Sequence, residues 1–303
     1  MKNSYPCQHH PGLTLADQDD FLNSLPTAIK MLDDLNFPRK TQRELMWFST
    51  FMFVLVALLV RFAINLQTCL IMKYFHIRFE YRVFGNILEK GGRGNWSDWK
   101  VILVFGLGPL VAFGLGLLVI RALQRSNYLA WKSRLFLTWL AFIMVLFLPM
   151  SMLAGVFFYD DFGYAFANFF ISKLIRAGLS LFILALTVFF RPLWMELFLR
   201  TAYSHRIVDQ QAHFIGLIFI LPWMIGTLII FPFTFIEHYW AWLMLLISMG
   251  LVVIPIFGNR EFNFKIRLTK TDKRVVFKNK LSLFGYIIAI ILLFLLSFIR
   301  IPM

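Results

Sequence analysis

Seven apolar runs, each between about 18 and 26 residues long, punctuate this chain, at approximately Trp47 to Met72, Val101 to Ile120, Phe136 to Tyr159, Phe166 to Phe190, Phe214 to Ile236, Trp240 to Phe257 and Leu281 to Ile299. A hydrocarbon core about 30 Å thick is crossed by roughly 20 residues of α-helix, each advancing ~1.5 Å. Backbone groups in that medium find no water, so a run of this length satisfies them internally as a helix. The expected fold class is all-α: a polytopic transmembrane helical bundle of about seven spans.

Composition excludes the soluble alternative. Of 303 residues, 59% are hydrophobic and only 15% charged, and 36 are phenylalanine, more apolar surface than a water-soluble fold of this length can bury. Trp47, Trp99, Trp131, Tyr159, Trp194 and the stretch Tyr239 to Trp242 lie near the ends of runs, where an interfacial aromatic belt belongs.

A net charge of +14 would suggest nucleic acid in a soluble protein, but here the basic residues gather between the apolar runs. That is the positive-inside pattern, and the partner it implies is a bilayer with anionic headgroups, not nucleic acid. With the N-terminus in the cytoplasm, Arg39, Lys40 and Arg43 are inside, as are the connections Arg121 to Arg134, Arg191 to Arg206 and Arg260 to Lys280. The turns at Asp160 and Asp161 and at Glu237 and His238 then lie outside. One basic connection, Lys73 to Lys100, falls on the wrong side. Six spans would remove the conflict if the first run, interrupted by Arg61, or the second, rich in glycine (Gly106, Gly108, Gly114, Gly116), were re-entrant.

The chain divides into a cytoplasmic N-terminal segment, residues 1–46, and a transmembrane domain, residues 47–303. In the first, Ser24 and Pro26 suit the start of a short helix carrying Leu25, Ile29, Leu32 and Leu35. In the second, residues 260–280 change period: Phe262, Phe264, Ile266 and Leu268 alternate with polar residues, and Val275 to Phe277 follow a polar turn, which predicts a cytoplasmic β-hairpin. Residues 1–12 contain no apolar segment of the signal-peptide kind, so the first span is expected to act as the insertion signal.

Candidate chemistry is sparse. Arg61 and Asn65, one turn apart deep in the first run, are expected to face the bundle interior, either as an anion or headgroup site or as a structural pair. Lys173 and Arg176, with Asn168 and Ser172, form a basic stripe at the start of the fourth run that invites an anionic ligand or the carboxylates of Asp160 and Asp161. Asp160, Asp161, Glu237 and His238 would share the outer face as a cation or proton site, or remain solvated turns. Glu196 and Arg200 have the spacing of a structural ion pair. Cys7, His9 and His10 lack the paired spacing of a zinc site, and Cys7 and Cys69 make no disulfide framework.

Pro109, Pro149, Pro222, Pro232 and Pro255 lie within apolar runs, where helices broken by proline can line a transport site, the stretch Leu221 to Pro232 most of all; packing kinks are the alternative. No zinc-protease, nucleophile-elbow, phosphate-loop or dinucleotide motif occurs, and Gly91-Gly92-Arg93-Gly94 reads as a turn. No cofactor or metal is implied, and an enzyme is not the favoured class. The leading expectation is a transporter, or a subunit of a transport or export complex, for an anionic solute or lipid. A non-catalytic scaffold docking a cytoplasmic partner and an intramembrane lipid-modifying enzyme are the alternatives. Low cysteine and short connections suit a bacterial cytoplasmic (inner) membrane.

Overall fold

The structure, a computed structural model, describes residues 39–77, 79–82, 86–88, 97–126, 129–158, 165, 172–202, 211–234 and 300–302. The apolar runs produce long helices. Helix α1 is Arg39–Tyr74, and α2 covers Asp98–Arg125 with a π-helical stretch at Ile102–Gly106. Helix α3 is Trp131–Phe158, α4 is Lys173–Phe189 and α5 is Arg191–Leu199. Helix α6 consists of Gln211–Ile215, a second π stretch at Gly216–Ile220, and Leu221–Thr234.

Among the described residues, four helices are long and apolar enough to cross a membrane, and α4 with α5, bent by 41° at their junction, makes a fifth if the pair is one span. The first two runs are both among the four, and neither is interrupted: Arg61 lies within a continuous α1, and the glycine-rich run lies within the 28 residues of α2. The runs at 240–257 and 281–299, the hairpin at 260–280, Pro255 and the N-terminal helix at 24–35 lie outside the described residues.

Two glycines of α2 answer to packing. A Cβ on Gly108 would meet Ile64 Cγ2 of α1 at 2.9 Å, and one on Gly116 would meet Val145 Cγ2 of α3 at 2.8 Å. Small residues thus let α2 approach both neighbours closely, the usual means of helix association in lipid. Gly226 does the same in α6, where a Cβ would meet Phe53 Cε1 of α1 at 2.9 Å.

Four helices meet in an aromatic core. Trp139 and Phe142 of α3, Trp194 and Phe198 of α5, Phe219 of α6 and Phe53 of α1 are each less than 2% exposed. Trp139 lies 4.8 Å from Phe198 and 5.0 Å from Phe53, both nearly edge-on, while Phe198 stacks on Phe219 at 4.4 Å. Edge and offset contacts are the arrangements favoured by ring quadrupoles. On the outside, Leu174 (84%), Leu228 (73%) and Phe182 (60%) present large apolar side chains that acyl chains would cover.

Prolines bend the ladder without breaking the helices. Pro149 is interior to α3, and each π stretch ends two or three residues before a proline, Gly106 before Pro109 and Ile220 before Pro222. A proline removes the N–H that would bond four residues back and crowds that turn, and a wider turn relieves the crowding. The stretch from Leu221 through Pro232 is therefore continuous helix, not an unwound segment.

Helix α1 stops in a Schellman motif. His76 takes a left-handed φ of 54°, Ile77 N donates to Met72 O at 3.0 Å and His76 N donates to Lys73 O at 3.1 Å. Ile77 and Met72 then pack with Cys69 and with Val104 of the π stretch in α2, the apolar contact that accompanies such a cap. Beyond it, β1 (Phe79–Arg82) pairs antiparallel with β2 (Asn86–Leu88) and with β3 (Arg300–Pro302), giving the order β2-β1-β3. Tyr81 is the register partner of Asn86 on one side and of Ile301 on the other. Residues 300–302 therefore lie at the end of the bundle where α1 stops and α2 starts.

Candidate functional site

Arg61 and Asn65 are one turn apart on α1 and both face inward, 4% and 5% exposed. The Arg61 guanidinium carbon lies 6.0 Å from the centroid of the Phe147 ring on α3, within reach of the negative face of an aromatic ring. Neither residue is without a partner in the protein. A cation at this depth of an apolar helix is costly unless it is held, so its persistence there reflects a specific environment.

Helix α4 begins at Ser172, whose hydroxyl accepts a hydrogen bond from Ile175 N at 3.3 Å. No acidic residue occupies its first turn, which instead carries Lys173 and Arg176 at the positive end of the helix dipole. The stripe expected along this helix is divided. Arg176 is buried, at 5% exposure, while Ser172 and Lys173 face outward; Asn168 lies outside the described residues. The division follows from helical geometry, because an i,i+3 step rotates ~300° and leaves the two basic side chains on different edges of one face.

Helix α3 lies between the two buried arginines in the order of packing. Its Phe147 faces Arg61, and its Leu148 and Met152 form a cluster with Phe113 of α2 and Ile183 of α4. Asp160, Asp161, Glu237 and His238, and also Cys7, His9 and His10, lie outside the described residues. Among the described residues, no group of three or more His, Cys, Asp or Glu side chains is placed to hold a metal ion.

The Glu196 and Arg200 spacing does give an ion pair, with Arg200 Nη2 2.5 Å from Glu196 Oε1. Arg200 also donates through Nη1 to Gln124 O at 3.3 Å, tying the end of α5 to the end of α2. Two features escape a sequence reading. Arg134, inside a connection read only as basic, is 2% exposed and donates to Ser126 O just past α2. Ser49 accepts from Trp139 Nε1 at 3.0 Å and donates to Ile218 O, joining α1, α3 and α6. The signal for the second is Pro222, which strands a carbonyl four residues back; its partner, 169 residues away, leaves no local trace.

Two more buried hydroxyls bond within their own helices, Thr138 to Arg134 O at 2.8 Å and Ser180 to Arg176 O at 2.7 Å. Such back-bonding satisfies a hydroxyl in an apolar interior and leaves it inert. Comparison with known proteins finds no match to this chain among protein-family models, curated proteins or solved structures.

Proposed function

We propose that this chain is a multi-pass membrane protein that moves an anionic solute or lipid, alone or as a subunit of a transport or export complex, with its N-terminus in the cytoplasm of a bacterial cell. The observation that carries the reading is the burial of Arg61 and Arg176, with Asn65, in the interior of a set of helices long and apolar enough to cross a bilayer. An ionisable group deep within an apolar span, as Arg61 is, points by default to a pathway or binding site. Arginine suits carboxylate and phosphate because its planar fork donates in pairs.

Uptake into proteoliposomes of a panel of carboxylate and phosphate solutes, together with scrambling of labelled anionic lipids, tests it. Flux in the wild type that falls at least roughly tenfold in Arg61→Gln or Arg176→Gln, the cost of ~1.4 kcal/mol or more at the limiting step, is the expected result. Absence of flux for every solute and lipid, or flux indifferent to both substitutions, defeats the proposal.

A further inference from the structure

Three helix ends come together around the carbonyls of one of them. Arg134, at the start of α3, donates through Nη2 to Ser126 O, while Arg200, at the end of α5, donates through Nη1 to Gln124 O at 3.3 Å. Two guanidiniums thus converge on the C-terminus of α2, close enough that the charge of Arg200 acts on Arg134. Arg121 and Arg125, one turn apart and exposed on the last turns of α2, add two more.

Compensation is incomplete. A helix C-terminus offers the equivalent of about half a negative charge. Among the described residues, the three helix ends supply one carboxylate, Glu196, already bonded to Arg200 at 2.5 Å. Among the same residues, these three helix ends thus carry four guanidiniums, two bonded to the carbonyls and two exposed on α2, against one carboxylate and a half-charge dipole. Arg134 Nε is enclosed with no hydrogen-bond partner, and among the described residues its guanidinium is held by the Ser126 carbonyl and not by a carboxylate. Arg200 is the outlet of the cluster, with its side chain 28% exposed.

The corner lies at the ends of helices long and apolar enough to cross a bilayer. Helices α2 and α3 both span by length and apolarity, and this corner is where they are joined. Beside it Lys132 Nζ sits 5.7 Å from the Phe48 ring and 5.9 Å from the Trp131 ring, an aromatic and basic pair typical of a membrane–water boundary.

We propose that this corner binds a phosphate-bearing anion, with Arg121, Arg125 and Arg200 as the groups that touch it and Arg134 as the fixed charge behind them. Lipid headgroups and free phosphate share that chemistry. The site is separate from Arg61 and Arg176 and stands whether or not the chain transports anything.

The test uses the full chain in nanodiscs of phosphatidylglycerol or phosphatidylcholine, transferred to detergent, with retained lipid counted by native mass spectrometry and thermal stability read with and without inorganic phosphate. The Arg121→Gln/Arg125→Gln variant removes exposed groups only, Arg200→Lys keeps the charge, and Lys73→Gln, at the opposite end of α1, is the control. Preferential retention of phosphatidylglycerol that falls roughly thirtyfold in the double variant but survives Arg200→Lys and Lys73→Gln is the expected result, given the ~1 kcal/mol that each of the two basic residues contributes near an anionic surface. No lipid preference, with phosphate stabilising the wild type and not the double variant, supports the same site with a soluble ligand. A lipid preference or phosphate effect unchanged in the double variant, or neither effect in the wild type, overturns the proposal.

Discussion

The hydroxyl of Ser49 donates a hydrogen bond to the carbonyl oxygen of Ile218 at 2.5 Å, the carbonyl that Pro222, lacking an N–H, cannot serve. Trp139 Nε1 donates to the same hydroxyl at 3.0 Å, so one serine resolves a defect in α6 and a buried indole in α3. Loss of that hydroxyl leaves a donor and an acceptor unsatisfied at once. Ser49→Ala is expected to destabilise the bundle by roughly 1–2 kcal/mol, allowing for the modest worth of interhelical bonds in membranes. Pro222→Ala restores an N–H one turn from Ile218, so in that background the cost of Ser49→Ala should shrink by ~0.5 kcal/mol or more. Reversible unfolding in mixed micelles measures the cycle; strict additivity would show that the proline is not what calls for the serine.

Close approach at Gly226 leads to a second expectation. The Phe53 ring occupies the space a Cβ would need there, whereas nothing lies within 4 Å of a Cβ on Gly114. Gly226→Ala should cost roughly 1–3 kcal/mol through displacement of Phe53, and Phe53→Leu should recover part of it. Gly114→Ala should be neutral or slightly stabilising, since alanine is the better helix former. Equal effects of the two alanines in the same unfolding assay would mean that α1 and α6 do not meet at Gly226.

How much of this is legible in the sequence depends on the range of the interaction concerned. Four runs, beginning near Trp47, Val101, Phe136 and Phe214, are recovered as α1, α2, α3 and α6, because length and apolarity are local properties. The helix expected from Phe166 is described from Lys173 and bends at Phe190, where Arg191 and Pro192 open α5, proline fitting the first turn of a helix. Glu196 and Arg200 were readable because an i,i+4 pair is fixed by helical geometry alone. By contrast, the inward face of Arg61 was readable but its neighbour Phe147 was not. The prolines were visible as defects; what the sequence could not tell is that a π turn and a distant serine absorb one of them. Phe79 to Arg82 alternates as a strand does, yet its pairing with residues 300–302 depends on chain closure across most of the protein.

That closure can be tested directly. Tyr81 and Ile301 are register partners across β1 and β3, and antiparallel partners have Cα atoms about 4.5–5.5 Å apart, within the range a disulfide spans. In a chain with Cys7 and Cys69 replaced by serine, Tyr81→Cys with Ile301→Cys should cross-link on mild oxidation and shift mobility on a non-reducing gel. Gln124→Cys with Ile301→Cys should not, because α2 places Gln124 at the far end of a 28-residue helix, about 40 Å long. Cross-linking of the second pair, or failure of the first, would remove the C-terminal residues from this end of the bundle.

Asn65 distinguishes a pathway from a dry structural pair. It is 5% exposed and one turn from Arg61, so lipid does not reach it and only an internal cavity can bring water to it. If the proposed transport is correct, Asn65→Cys in the cysteine-free background should react with a charged, membrane-impermeant thiol reagent from one side of the membrane, and an anionic substrate should slow the reaction. Ser172→Cys, at the exposed cap of α4, should react regardless of substrate and reports that the reagent is competent. A buried arginine that merely braces the bundle needs no such access: α1 would then keep Asn65→Cys unreactive in intact cells and in opened membranes, and Arg61→Leu would fold as well as the wild type, since a well-packed apolar residue commonly replaces a buried ion at little cost.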